Sequence, residues 1–295
     1  MMPKFIKTAR NLQTKHRAIC DGFLTQAIQK TEKAHPYIEG VRVFYNALKK
    51  IKTVENLLSL ESHRRDLIAA CGFSDKAITH LTETELSSAM KKVLSRIHKE
   101  SGREFRENIL YRYLLTKGDA LGGSMRNITG ASAGVKLTEK ILEKLGGLGY
   151  NIEVVKSDVG KIQRIAWNNR VLFFDVKPRI IGKNIDVILI KRDNAAATEK
   201  SLLMDKKNYI ACGELKGGID PAGADEHWKT ANSALRRIRI AFGRNMPALF
   251  FIGAAIEASM AKEIFKQLRN GQLTHAANLN ENEQINDLVD WLLLL

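Results

Sequence analysis

Apolar residues in the first half of the chain recur at intervals of three and four positions. Glu85–Glu100 and Glu104–Leu115 carry them with charged residues between, the pattern of amphipathic helices. Breaks are expected at His35-Pro36, at Gly72-Phe73-Ser74 and from Gly118 to Gly130. Ser132 to Leu145 predicts one more helix, closed by Gly146-Gly147. After Gly149 the pattern changes. Asn151–Val155, Ile162–Trp167, Val171–Val176, Ile185–Ile190 and Tyr209–Leu215 are short runs rich in β-branched and aromatic residues, each bounded by polar residues, Gly or Pro, and they predict strands. A long helix should follow, with Asp220 as its N-cap, Pro221 at its first position and Ala224, Trp228, Ala231, Leu235, Ile238 and Phe242 as its buried stripe. Ala248–Ile252 reads as a buried strand, and Ala258–Leu268 and Asn282–Leu294 read as helices. The expectation is an α/β protein in two parts: a helical region over 1–148, and a mixed sheet flanked by helices over 149–295.

Charge adds a partner to this picture. The formal net charge is +15, and residues 1–150 hold 26 Lys/Arg against 15 Asp/Glu. A polyanion is the natural counterpart of such a surface. Other classes recede. The three cysteines, Cys20, Cys71 and Cys212, show no C-x-x-C spacing, which argues against a disulfide framework or structural zinc and fits a reducing, cytoplasmic setting. Lys4, Lys7, Arg10, Lys15 and Arg17 interrupt any apolar leader core. The longest apolar stretch, Ala248 to Ile256, has nine residues, against roughly 20 for a membrane span.

Candidate chemistry lies at two strand ends. Asp186 opens the apolar run Ile185 to Ile190, and Glu214 and Lys216 close the run from Tyr209. Alternate strand side chains share a face, so Glu214 and Lys216 point one way and Leu215 the other. If the two strands are neighbours, Asp186 completes a cluster of two carboxylates and an ammonium. Such a pair of acids suits Mg²⁺, a hard cation that keeps several waters and takes a substrate phosphate as a ligand. The Leu215 carbonyl is a further candidate ligand, and Lys216 can orient or deprotonate an attacking water. The short D…E-X-K pattern is weak alone, since strands often end in charged pairs. Acids on strongly apolar strands are costly without a role, however, and Gly213, Gly217 and Gly218 leave room for a phosphate to approach.

Around these residues the chain resembles the AvaI/BsoBI family of type II restriction endonucleases, within the PD-(D/E)XK nuclease fold. The resemblance is strongest over Gly213-Glu214-Leu215-Lys216-Gly217-Gly218-Ile219-Asp220-Pro221-Ala222-Gly223-Ala224-Asp225-Glu226-His227-Trp228-Lys229-Thr230, and is seen again over Leu114–Asn127. Weaker likeness runs through Ser74–Ala77 and Phe251–Ala255. It implies a helical DNA-embracing region followed by a nuclease core. It also implies metal binding at Asp186 and Glu214, a catalytic Lys216, and His227 as a residue that helps activate water. Lys183 and Asp220 fall where the family reads bases. Arg64 is a candidate DNA contact, although Glu61 makes its helix less basic than in the family. Further implications are cleavage of double-stranded DNA at a partly degenerate palindrome of the CYCGRG kind, a homodimer, and a companion DNA methyltransferase. Two alternatives stay open: a nuclease of the same chemistry acting on DNA structure or modification, and a non-catalytic DNA-binding relative.

Other conspicuous residues carry weaker readings. Gly118 to Gly123 lacks a Walker A ending. It is either a helix connector or a DNA-backbone contact helped by Lys117 and Arg126. Asp175-Val176-Lys177 imitates the metal motif but is followed by Pro178, and reads as a strand end. The remaining histidines read as surface or core residues. Arg236, Arg237 and Arg239 read as a solvated helix face, and Trp291 to Leu295 as packing or a subunit contact.

Overall fold

The computed structural model describes all residues except Met1, Ala195 and Ala196, and at Asp75, Lys76 and Arg126 the backbone alone. The chain is helical to Gly147: α1 (His16–Leu48), α2 (Val54–Leu58), α3 (Arg64–Ala70), α4 (Asp75–Ile78), α5 (Glu83–Ser101) and α6 (Phe105–Gly147). Four strands follow, β1 (Ile152–Lys156), β2 (Ile162–Trp167), β3 (Arg170–Val176) and β4 (Ile185–Lys191). Then come α7 (Glu199–Met204), β5 (Tyr209–Lys216), α8 (Ala224–Phe242), β6 (Ala248–Gly253), α9 (Ala258–Arg269), β7 (His275–Asn278) and α10 (Asn282–Leu294). The α/β class with a mixed sheet is as expected.

Two expected breaks do not occur. Pro36 lies inside α1; it and Glu32, whose carbonyl loses its partner, are both exposed, so water can replace the missing bond. The glycines from 118 to 130 lie inside the 43 residues of α6. Each costs about 1 kcal/mol relative to alanine, but the helix is pinned at both ends. Phe105, Ile109 and Tyr113 are buried in one core, and Ala133, Leu137, Ile141 and Leu145 in another. The break at Gly72 is real: its φ of +82° ends α3 in a conformation that glycine adopts without strain.

By contacts the chain divides into two compact units, residues 25–127, and residues 1–24 with 128–295. The first is all helix, its core built from Phe44, Leu57, Leu67, Met90, Leu94 and Ile109. The second holds a seven-stranded sheet in sequence order, antiparallel from β1 to β5 and parallel from β5 to β7. Its two faces are both covered. One packs on α8 and α9 through Trp228, Leu235, Ile238, Phe251 and Ile264. The other packs on the end of α6 and on α10 through Leu137, Leu145, Phe250 and Leu288. The expected stripe of α8 is buried at all six positions. Strand β7 was not foreseen: His275-Ala276-Ala277-Asn278 has no β-branched residue, and its burial comes from lying beside β6 under α10.

The terminal Trp291 packs edge-on to Phe250, and Leu292 is buried, so this segment serves packing. The three cysteines are free thiols. Among the described residues no helix is long and apolar enough to cross a membrane.

Candidate active site

Strands β4 and β5 are antiparallel neighbours with Val187 opposite Gly213. The next pair outward is therefore Asp186 and Glu214, which is how two acids 28 positions apart in sequence meet. Glu214 follows Cys212 on the face covered by α8, and Leu215 packs on the opposite core. Lys216 Nζ lies 2.9 Å from Asp186 Oδ2 and 2.8 Å from Glu214 Oε2, bridging the two carboxylates. The Leu215 amide donates to the same Asp186 Oδ2 at 2.8 Å. The Leu215 amide thus has a role in the site that no local sequence pattern signals.

The electrostatics follow from burial. Glu214 is 3% exposed, and burial, then the Asp186 charge, pushes its carboxyl up to about 7 in spite of Lys216. Burial works against the ammonium of Lys216, but Glu214 and Asp186 outweigh it and raise its pKa. Glu214 Oε1 is buried without a hydrogen-bond partner. An enclosed carboxylate oxygen with nothing to accept from is costly in water-excluded surroundings, and it is suited to a cation. Among the described residues no group of three or more acids, histidines or cysteines could hold a metal. Two carboxylates still fit Mg²⁺, which is commonly held by one or two and completes its shell with water and phosphate.

The three glycines do not hold space for a phosphate in this structure. A side chain at Gly213 would begin 2.2 Å from the Phe250 ring, one at Gly217 would begin 2.6 Å from Ala133 and 2.7 Å from the Thr129 carbonyl, and one at Gly218 would begin 2.8 Å from His227 Nε2. Each admits another part of the protein itself.

His227 lies one turn into α8 and is exposed, while its neighbour Trp228 is buried. Its ring folds back against Gly218 and Gly223, over the turn that follows Lys216. Asp220 accepts from the Ala222 amide at 2.9 Å and caps a short 3₁₀ turn over Pro221–Gly223, from which α8 begins. Lys183 is exposed on the β3–β4 connection beside Gly182, whose φ is +71°.

The remaining candidates lie in the helical unit. Arg64 pairs with Glu83 and donates to Ser87 Oγ at 3.1 Å. Lys117 sits 5.5 Å from the centre of the Tyr113 ring and lines a cavity with Arg65 and Phe73. The side chain of Arg126 lies outside the described residues. Asp175 is the last residue but one of β3, with φ +53°, and pairs with Lys161, which fits a strand end. Among the described residues, two histidines have acid partners: His63 lies 3.0 Å from Asp66, and the buried His275 lies 3.3 Å from Asp287.

Comparison with known proteins bears on this site as a whole. Type II restriction enzyme AvaI from a Nostoc species is 40% identical over 311 aligned positions that cover 98% of both chains. The enzyme of the same name from Anabaena variabilis has the same identity and coverage. Type II restriction enzyme BsoBI from Geobacillus stearothermophilus is 37% identical over 98% of this chain and 96% of its own. A family model described as restriction endonuclease BsobI matches residues 3–295. The chain, from its helical region through the carboxylate–lysine cluster to its last helix, belongs to the BsoBI restriction endonuclease family.

Proposed function

We propose that this protein is a type II restriction endonuclease that hydrolyses phosphodiester bonds in double-stranded DNA with Mg²⁺ at a PD-(D/E)XK site formed by Asp186, Glu214 and Lys216. The observation that carries the reading is the bridged cluster: two carboxylates and an ammonium drawn from separate strands, with one buried carboxylate oxygen left without a partner. Asp186 and Glu214 would hold the metal, with the Leu215 carbonyl as a further ligand. When bound, Mg²⁺ would polarise the scissile phosphate and stabilise charge on the leaving 3′ oxygen. The chain's own groups do the rest. The Leu215 amide and Lys216 fix Asp186 Oδ2 in place. The ammonium of Lys216 offsets charge that grows on the phosphate and orients the attacking water. His227, or Lys216 once it has released its own proton, takes the proton of the attacking water. A histidine is better matched to neutral pH, and the ring of His227 folds back over the turn after Lys216.

Specificity follows the same relatives. Lys183 and Asp220 are proposed to read base edges within a partly degenerate palindrome of the CYCGRG kind, with Arg64, Lys117 and Arg126 as backbone contacts. A two-fold homodimer would deliver one site to each strand, and a companion methyltransferase would protect the host's DNA.

The decisive experiment is digestion of unmethylated plasmid with and without Mg²⁺, followed by sequencing of the ends. Discrete fragments with one shared end sequence are expected. Asp186→Ala and Glu214→Ala should each abolish cutting and leave specific DNA binding intact. His227→Ala should cut about 100-fold slower if it is the base. Residual cutting above a few percent in either carboxylate variant would overturn the site, and normal cutting by His227→Ala would leave Lys216 as the base.

A further inference from the structure

The segment that opens α1 reaches the strand end that carries Lys216. Lys216 is the last residue of β5, paired with Gly253 at the end of β6. Strand ends fray unless something beyond the ladder holds them. Here the Lys216 carbonyl accepts from the Ala254 amide at 2.8 Å. Ala254 is itself held from its other side: its carbonyl accepts from Thr14 Oγ1 at 2.8 Å and from Asn280 Nδ2 at 2.6 Å. Thr14 stands two residues before α1. Its hydroxyl also accepts from the Ile256 amide and from Asn278 Nδ2, each at 2.9 Å. With both lone pairs occupied, its one proton is left to the Ala254 carbonyl, which fixes the direction of that bond.

Asn278 orients the hydroxyl. It is 0% exposed on β7, and both polar groups of its side chain are engaged. Its Nδ2 donates to the Leu12 carbonyl and to Thr14, and its Oδ1 accepts from the Asn280 amide at 2.9 Å and Nδ2 at 3.2 Å. Burying an amide has a desolvation cost that an apolar side chain would not have. A fully satisfied buried network adds one fixed geometry. Anchoring of the N-terminal arm does not need it, because Ile6 and Leu12 are buried in the core and the Thr14 amide already donates to the Ile256 carbonyl at 3.0 Å. The network fixes the Ala254 peptide, and with it the end of β5. Lys216 Nζ lies within hydrogen-bond reach of Asp186 and Glu214 at once, a constellation that tolerates about 0.5 Å of displacement. We propose that Thr14, oriented by Asn278, is a positioning residue that acts through the Ala254 peptide to hold Lys216 in the active site. The proposal rests on the reading of Asp186, Glu214 and Lys216 as that site.

The test compares Thr14→Val and Thr14→Ser in the full chain. Valine keeps the shape and removes the hydroxyl, so the Ala254 carbonyl retains Asn280 alone; serine keeps all three bonds. Two quantities are read well below each variant's Tm, on a duplex with the sequence recovered from digested ends. They are the single-turnover cutting rate at saturation in Mg²⁺ and the affinity in Ca²⁺. Thr14→Val is expected to cut about tenfold slower or more, the factor for loss of one well-aligned hydrogen bond, with affinity unchanged. Thr14→Ser should cut at the wild-type rate. A residue that serves only the fold would lower Tm and leave the cutting of bound duplex unchanged. Asn280→Ala removes the second donor to the same carbonyl from a half-buried position, and it decides the matter if Thr14→Val does not fold. Slower cutting with unchanged affinity then supports the path, and wild-type cutting overturns it. Wild-type cutting by Thr14→Val, equal slowing in Thr14→Val and Thr14→Ser, or a loss confined to affinity would also overturn it. Asp186→Ala run in parallel separates the two readings. If it is inactive while Thr14→Val cuts normally, the positioning role alone fails; cutting by Asp186→Ala removes the site and the positioning role with it.

Discussion

Glu214 is 3% exposed beside Asp186, and its carboxyl is pushed up to about 7, first by burial and then by the neighbouring charge. The folded state therefore holds a proton over a range of pH in which the unfolded chain, with its carboxyl near 4.5, has released it. The stabilisation is full below about 4.5 and is lost as pH rises through about 7. Glu214→Gln removes the titration and keeps an oxygen that can accept from Lys216. In chelator at pH 8 the variant should be more stable than wild type by ~1–3 kcal/mol, since one pKa unit is worth about 1.4 kcal/mol. The difference should shrink toward pH 4.5. Denaturant melts across that range will measure it, and a difference independent of pH would refute the assignment. The residue scale also shows how misleading a glycine can be in sequence. Gly213 stands beside the candidate glutamate as if to admit a phosphate, yet the Phe250 ring fills its space.

Glycines separate into two kinds at the scale of elements. Gly118 and Gly122 lie in the middle of α6 with nothing within 4 Å of where a side chain would begin. Alanine at either should stabilise the metal-free protein by roughly 0.5–1 kcal/mol through helix propensity and a less flexible unfolded chain. Gly213 lies in β5, where alanine would begin 2.2 Å from the Phe250 ring, and overpacking of this kind typically costs ~1–3 kcal/mol. Thermal melts of the single variants should show opposite signs, and stabilisation by Gly213→Ala would contradict the packing of β5 on β6. The same contrast explains the missed helix. Local composition from Gly118 to Gly130 signals a break, but anchors in two cores, Ile109 and Tyr113 at one end and Leu137 and Ile141 at the other, carry the helix through.

The charge of +15 belongs to the whole molecule. Most of its excess lies in the first 150 residues, where exposed lysines such as Lys30 and Lys33 on α1 contribute to it. Binding of a cognate duplex in Ca²⁺ should weaken steeply with salt, with a log–log slope of about −0.9 for each phosphate neutralised. Reversal of charge at Lys30 and Lys33 together should flatten the slope more than reversal at Lys262 and Lys266 on α9. Fluorescence anisotropy over a salt series will show it, and a flat response in wild type would remove charge from the account of binding.

Much of the second half of the chain was legible in its residues. The strand runs from Ile152 to Gly253 are short and bounded by polar residues, Gly or Pro, and the α8 stripe has helical periodicity, so local pattern marks both. The motif Asp186…Glu214-Leu215-Lys216 was legible as three residues, and the family resemblance extended the reading to His227, Lys183 and Asp220. Other features depended on contacts between distant segments, which no local pattern encodes. Antiparallel pairing of β4 with β5 brings Asp186 to Glu214. The Leu215 amide reaches Asp186 because strands lie only about 4.8 Å apart. Strand β7 exists because β6 and α10 bury an alanine-rich segment of weak propensity. Sequence determined which residues could do the chemistry. Only the tertiary structure decided which of them meet and which oxygens are left without partners, because desolvation and pairing are properties of packed neighbours and not of spacing along the chain.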